Sequence, residues 1–389
     1  MPDTVELRRR RAANARRRRR RRVAWVAVVV ALASAGGVGA AIDALGSDDA
    51  AATTARATPA RPARTTRPLP VPPAPVPGYL LIADRGNDRV LLVDGKKRII
   101  WRYPRRNLHP RFPFRFDDDA FFGPQFHTII SNQEDQHTLQ VVSFPGGRVL
   151  WRYGHANVRG SAPGYLNTPD DAYLLPNGLR SVADAYNCRV LLISRAHRVV
   201  RQFGRTGGCV HDPPRSFGAV NGATPIPGGR FLVSEIQGSW IDGIGPTGRL
   251  LWDFRAPVSY PSDPQWLGGG RILLADYSRP GRALIVNTRG RVLWRYGPSS
   301  GPGMLDHPSL ALPLRNGLIA INDDYRDRVV FVSLATRRIV WQYGHTDVKG
   351  VAPGYLDTPD GMDLLPTSRL AGLPAIRALA YGPGRSSTR

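Results

Sequence analysis

Six small polar residues, Asp118, Asp170, Asn221, Ser262, Ser309 and Asp360, fall at equivalent positions when strand-like segments are aligned on the Pro or Gly turn that follows each. Side-chain oxygens converging in this way form the hard ligand set that calcium or a cationic ligand prefers. Asp118, Asp170 and Asp360 are the candidate calcium residues, Asn221 and Ser309 the neutral members of the same ligand-binding set, and Asp119 and Asp171 stand just behind. The same residues would also serve to cap strand starts and hold water. A second feature is a pair of near-duplicate stretches, Tyr153 to Asp170 and Tyr343 to Asp360, identical at 13 of 18 positions and carrying His155 and His345. A matched histidine pair over an acidic ring would suit a metal or an anionic substrate, although duplication of one repeat also explains the identity. His127 and His307 are the only histidines on the aligned segments, and His307 directly precedes Pro308.

A repeating element must position these residues. Its marker is a strand ending in an aromatic pair, seen at Ile99–Tyr103, Val149–Tyr153, Leu250–Phe254, Val292–Tyr296 and Ile339–Tyr343, with a sixth copy at Val199–Phe203 that has Arg201 in place of Trp. Successive markers lie 50, 50, 51, 42 and 47 residues apart, a period that suits four-stranded propeller blades. One unit divides into strands 171–175, 179–183, 189–194 and 198–203, with turn residues between them. The expected fold is therefore an all-β, six-bladed β-propeller over residues 78–368. The pattern begins on a second strand, 79–83, and ends on an unmatched inner strand, 361–365, so Velcro closure of the first blade by the last strand is expected. Residues 369–389 are left as a C-terminal tail.

The hairpins Asp84-Arg85-Gly86-Asn87-Asp88-Arg89-Val90 and Asp184-Ala185-Tyr186-Asn187-Cys188-Arg189-Val190, with 323–329 as a weaker copy, resemble the NHL-repeat signature, as do the approaches 162–169 and 301–308. Gly147-Arg148-Val149-Leu150-Trp151 and 290–294 are similar to the pyrroloquinoline-quinone-type repeat, a resemblance that implies Trp packing between blades. Quinoprotein dehydrogenases usually have eight blades and adjacent cysteines, which this chain lacks. The Leu-Pro-Asn-Gly turn at 175–178, together with the Asp-x-x-Asn-x-Arg hairpin and the Trp-x-Tyr strand, also resembles arylsulfotransferase-like propellers. Their histidines act at inner-strand starts. Here Pro169-Asp170 and Pro359-Asp360 stand at those starts, and the resemblance leaves His307, and second to it His127, as catalytic candidates.

Cys188 and Cys209 are the only cysteines, and hairpin and loop should bring them to one face of a blade, so a disulfide is expected, with two buried thiols as the alternative. Residues 1–22 are Arg-rich, and the uncharged stretch 23–42 is long enough to span a bilayer. Segment 23–45 is read as a transmembrane helix or signal anchor, with a cleaved signal ending near Ala33-Ser34-Ala35 as the competitor. Both place the propeller outside the cytoplasm at the cell membrane. The Pro/Ala/Thr-rich stretch 46–77 reads as a disordered linker. The net charge of +24 includes +10 within residues 1–77, and the remainder is scattered Arg without a stacking groove, which argues against nucleic acid. No phosphate loop or nucleotide fingerprint is present. These features point to a membrane-anchored, monomeric binding scaffold for an envelope ligand or protein, with calcium as a possible cofactor. A sulfotransferase-like enzyme is the alternative, and a quinone-binding protein the third.

Overall fold

The computed structural model describes residues 76–105, 114–115, 117–314 and 316–373. The N-terminal segments 1–22 and 23–45, nearly all of the linker and residues 374–389 of the tail lie outside these. No helix among the described residues is long and apolar enough to cross a membrane.

The described chain forms six four-stranded antiparallel sheets, the blades of a six-bladed β-propeller. Blade 1 joins the two ends of the repeat region. Its inner strand is Pro359–Pro366, which pairs antiparallel with Gly78–Asp84, followed by Arg89–Val93 and Ile99–Tyr103. Blades 2 to 6 run in chain order, with inner strands Asp117–Phe122, Pro169–Leu174, Val220–Ile226, Pro261–Gly268 and Ala311–Pro313. From blade 1 to blade 6 each inner strand packs against the inner strand of the next blade, and the ring closes where Pro359–Pro366 packs against the second strand of blade 6, Leu318–Asp323.

Apolar alternation explains the layers. Second and third strands such as Arg189–Ile193 are buried on both faces, whereas the outer strand Val199–Phe203 buries only Phe203. The largest core cluster takes Leu80, Phe121, Trp151, Val182, Phe331 and Met362 from blades 1, 2, 3 and 6, so apolar burial ties neighbouring blades together. The marker tryptophans add directional bonds. Trp101 Nε1 donates to Pro145 O at 2.8 Å, Trp151 to Arg195 O at 3.2 Å, Trp294 to Leu334 O at 2.8 Å and Trp341 to Gly95 O at 3.2 Å. Every acceptor lies in the turn before the outer strand of the next blade. Arg201, standing where Trp is missing, donates its guanidinium to the equivalent Pro246 O. The short helix Thr367–Gly372 continues beyond the last strand, and Leu373 is buried in a core cluster with Tyr79 and Phe122.

A second repeated device fixes the end of each sheet. Asp84 bonds Arg89 Nε at 2.6 Å, Asp184 bonds Arg189 Nε at 2.7 Å, Asp276 accepts from Arg282 Nη2 at 2.5 Å, and Asp323 bonds Arg328 Nε at 2.7 Å. The other oxygen of each carboxylate accepts a backbone N–H from the loop entering the inner strand: Asp357 at 2.8 Å, Asn167 at 2.7 Å, Ser259 at 3.0 Å and Asp306 at 2.7 Å respectively. Glu235 in blade 4 and Gln133 in blade 2 accept the matching amides of Gly218 and Arg115. One side chain per blade thus clamps a hairpin to the incoming loop.

Arg328 and Asp323 are 2% and 0% exposed. Removing one partner leaves the other charge buried and unpaired, so Arg328→Met should cost about 3 kcal/mol in urea unfolding, and a loss below about 1 kcal/mol would contradict the clamp's role.

Candidate functional site

Strand register places the six aligned residues at one level of the channel. The residue opposite each clamp side chain is Pro359, Asp117, Pro169, Val220 or Pro261 in blades 1 to 5, and the next residue is Asp360, Asp118, Asp170, Asn221 or Ser262. Ser309 follows Pro308 in blade 6. All six are buried, at 2 to 7% exposure, which means they face one another across a narrow space and not open solvent.

The ring contains a built-in cation. Arg85 follows the clamp residue Asp84 in a three-residue turn, Arg85–Asn87, that turns its side chain into the channel. Its Nη1 donates to Asp118 and, at 2.7 Å, to Asp360, while Nη2 donates to Glu134 at 2.5 Å. Glu134 holds the same position after clamp residue Gln133 in blade 2, and Asp324 holds it after Asp323 in blade 6. Ser309 donates to Asp324 Oδ1 at 2.8 Å. Asn221 continues the ring, donating to Asp170 Oδ2 at 2.9 Å. Asp118 and Asp360 each commit one carboxylate oxygen to Arg85, Asp118 Oδ2 also accepts from Asn132 at 3.4 Å, and Asp170 accepts from Asn221 and from the Asp171 amide.

Behind them lies a second set, Asp119, Asp171 and Asp263, with one carboxylate oxygen from each within 4.8 Å of the others. Asp171 accepts from Tyr173 at 3.2 Å and from the Ala223 amide at 3.3 Å. Asp119 Oδ1 and Asp263 Oδ1 are buried without a hydrogen-bond partner. Asp263 reaches this level through a bulge between Ser262 and Gln265 that puts it at φ 38°. Gly361 is needed beside it, since a Cβ there would lie 2.1 Å from Asp119 Oδ1. A further grouping, Asp118, Asp119 and Asp170, meets the same distance criterion, so the calcium trio expected from the sequence is split: Asp118 and Asp170 converge with Asp119, while Asp360 turns to Arg85.

The electrostatics follow from burial. Loss of water pushes the carboxyls of Asp118, Asp119, Asp170, Asp263 and Asp324 well above the usual range; Arg85 counters it at Asp118, and other acids reinforce it at every one of them. Burial lifts Asp171 to about 7, against its hydrogen bonds from Tyr173, Ala223 and Thr224.

The histidines are placed differently from one another. His307 lies in the loop before the blade 6 inner strand, where its Nδ1 bonds Asp306 Oδ1 at 2.6 Å and its ring packs against Tyr277 and Tyr325. His127 is exposed in the turn after Phe122, at the other end of the blade 2 inner strand, so it shares no site with His307. His155 and His345 are exposed, and each stacks at 4.1 Å on a tyrosine of its own loop, Tyr165 or Tyr355. Their loops follow blades 2 and 6, and each histidine is held within its own loop. Cys188 and Cys209 form a disulfide with Cα atoms 5.2 Å apart. A pocket of about 630 Å³ beside Ile99–Arg102 and Val351 lies outside the channel.

Arg85, Glu134, Asp263 and Asp324 were not among the residues expected from the sequence. Arg85 had one visible signal: it occupies the hairpin position where the sister repeat has Ala185.

No protein-family model matches the chain, and no curated protein matches it significantly. Solved structures do resemble it. A protein of unknown function from Bacteroides caccae superposes with TM-score 0.51 at 19% identity, covering 74% of this chain and 98% of the other. A chain of a nidogen/laminin complex gives TM-score 0.50 at 14% identity, covering 73% and 97%. A streptogramin B lyase structure gives 0.46 at 14% identity, covering 65% and 77%. At these identities the first two likenesses show the propeller fold alone.

Carboxyls whose pKa is raised in the fold bind protons more tightly there than in the unfolded chain. Their contribution to stability is complete below the ordinary value of 3.8 and is lost as pH rises toward about 7, the value Asp171 reaches. The thermal midpoint should accordingly rise at neutral pH in Asp119→Asn and change little at pH 4; an equal shift at both pH values would remove burial of charge as the cause.

Proposed function

We propose that this chain is an extracytoplasmic binding propeller, tethered to the cell membrane by residues 23–45 and of the NHL type, that takes calcium or a cationic group of an envelope ligand into its channel mouth. The observation that carries this reading is the excess of buried carboxylates over the single Arg85, with Asp119 Oδ1 and Asp263 Oδ1 left without partners. Arg85 pairs with Asp118, Asp360 and Glu134. The set behind them, Asp119, Asp171 and Asp263, has no such counter-charge within hydrogen-bond reach among the described residues and is the place for a ligand cation. A bound cation there would exchange carboxylate repulsion for coordination by hard oxygens.

The transfer-enzyme reading has one observation in its favour. Asp306 holds His307 in a fixed orientation, as a carboxylate does for a general base. Because His307 belongs to the loop and not to the acid set, the two readings separate by mutation.

Calorimetric titration of the purified full-length chain with calcium should give saturable binding that Asp119→Asn and Asp263→Asn each weaken by about tenfold, or 1.4 kcal/mol, with His307→Ala unaffected. Absence of calcium binding by the wild-type chain would overturn the cation reading. Loss of turnover of an aryl sulfate in His307→Ala would establish the enzyme instead.

A further inference from the structure

Blade 4 departs from the repeat at four places that all meet at one point. The clamp acid is Glu235 where blades 1, 3, 5 and 6 have Asp. The residue opposite it on the third strand, Arg89, Arg189, Arg282 or Arg328 in those blades, is Trp240. Two residues along that strand, Leu91, Leu191, Leu284 and Val330 give way to Asp242. Across from these on the outer strand, Arg102, Gln202, Arg295 and Gln342 give way to Asp253, which pairs with Asp242. Into this corner the loop between blades 3 and 4 inserts His211, two residues beyond the disulfide at Cys209.

His211 is held on three sides. Its ring lies flat on Trp240, with centroids 3.9 Å apart and planes 6° from parallel. Its Nδ1 donates to Glu235 Oε1 at 2.9 Å, and its Nε2 stands 3.4 Å from Asp253 Oδ2. His211, Asp242 and Asp253 each offer a ligand atom within 4.8 Å of the other two. Asp242 is 0% exposed, no N–H or hydroxyl donor among the described residues reaches its carboxylate oxygens, and burial together with the neighbouring Glu235 carboxyl pushes its pKa well above the usual range.

A buried acid that no N–H or hydroxyl donor serves, set against the second buried carboxyl of Glu235 and placed where four other blades put an aliphatic side chain, is costly unless a cation offsets it. We propose that His211 Nε2, Asp242 and Asp253 bind a divalent transition-metal ion, with Glu235 as the outer carboxylate that orients the histidine. The geometry matches this chemistry. Two ligand atoms about 2.1 Å from one ion at a tetrahedral angle stand about 3.4 Å apart, the separation of Nε2 from Asp253. A metal-bound imidazole ordinarily donates its other N–H to a carboxylate, as Nδ1 does to Glu235. One nitrogen and two carboxylates suit zinc or manganese better than calcium. Three protein ligands leave a further position for water or a ligand donor, and Asp253, with a side chain 37% exposed, sets the site at the solvent boundary. This site is separate from the channel acids and does not depend on them.

The test is titration of the metal-free full-length chain with cobalt(II), followed by its visible absorption, and with zinc(II) by calorimetry. The wild-type chain should bind one ion in blade 4 and develop cobalt bands shifted and intensified relative to the aqueous ion. His211→Ala and Asp253→Ala should each weaken binding at least about tenfold, and Asp119→Asn in the channel should leave it unchanged. Asp242→Leu, which restores the residue type of the other blades, should stabilise the metal-free fold while abolishing the cobalt spectrum. Absence of a cobalt spectrum in the wild type, or one that survives both His211→Ala and Asp242→Leu, would overturn the proposal, as would loss of binding in Asp119→Asn alone.

Discussion

The clamp that ties each hairpin to its incoming loop is the constraint from which the rest of this propeller follows. In all six blades one side chain, Asp84, Gln133, Asp184, Glu235, Asp276 or Asp323, accepts an amide of the loop that enters the inner strand. Where a guanidinium also pairs with that carboxylate, the loop is fixed by two interactions of different kind, and the start of the inner strand has no freedom left. Register then determines which residues face the channel. In blades 1 to 5 the ring residue is the one after the position paired with the clamp side chain, in blade 6 Ser309 stands just before the inner strand, and in three blades the residue after the clamp, Arg85, Glu134 or Asp324, joins the set.

This geometry concentrates acids where water is scarce. Burying several carboxylates around one guanidinium is unfavourable for folding, and the cost falls on the apolar seams and on the Trp-to-carbonyl bonds between blades. A structure that needed only stability would place serine or asparagine at these positions, as blades 4 to 6 do with Asn221, Ser262 and Ser309. Blades 1 to 3 carry Asp360, Asp118 and Asp170 instead, which sets the charge to one side of the channel. The same logic applies in blade 4, where Trp240 stands at the position of the clamp arginine, His211 from the preceding loop bonds the clamp acid, and Asp242 and Asp253 replace residues that are not acidic in blades 1, 3, 5 and 6. Both sites arise as departures from a repeat whose common residues are structural.

Much of this was legible from the chain. The Trp-x-Tyr markers reported the blade count because four of the five tryptophans make the same bond to the next blade, and the copy with Arg201 still counted because a guanidinium reaches the equivalent carbonyl. The equivalence of Asp118, Asp170 and Asp360 was legible because each follows the residue paired with its blade's clamp side chain, although bulges there let Asp119 reach the same cluster as Asp118. Other features were hidden. Arg85 looked like a turn residue, and only the pairing of first and last strands brings it to Asp118 and Asp360, more than 30 and 270 residues away. Asp263 was less hidden, since it follows Ser262 as Asp119 follows Asp118 and Asp171 follows Asp170, with a bulge at the same place in all three blades. The His155 and His345 pair was conspicuous for its duplication, yet each ring is exposed and stacks on a tyrosine of its own loop.

The account's central claim is that the channel mouth is a cation site between Asp119, Asp171 and Asp263. An anomalous-difference map from crystals grown with a lanthanide in place of calcium would locate it directly. The account predicts a peak among those three carboxylates, with Arg85 still bound to Asp118 and Asp360. A channel without a peak, in a crystal whose lanthanide is bound elsewhere on the chain, would contradict it.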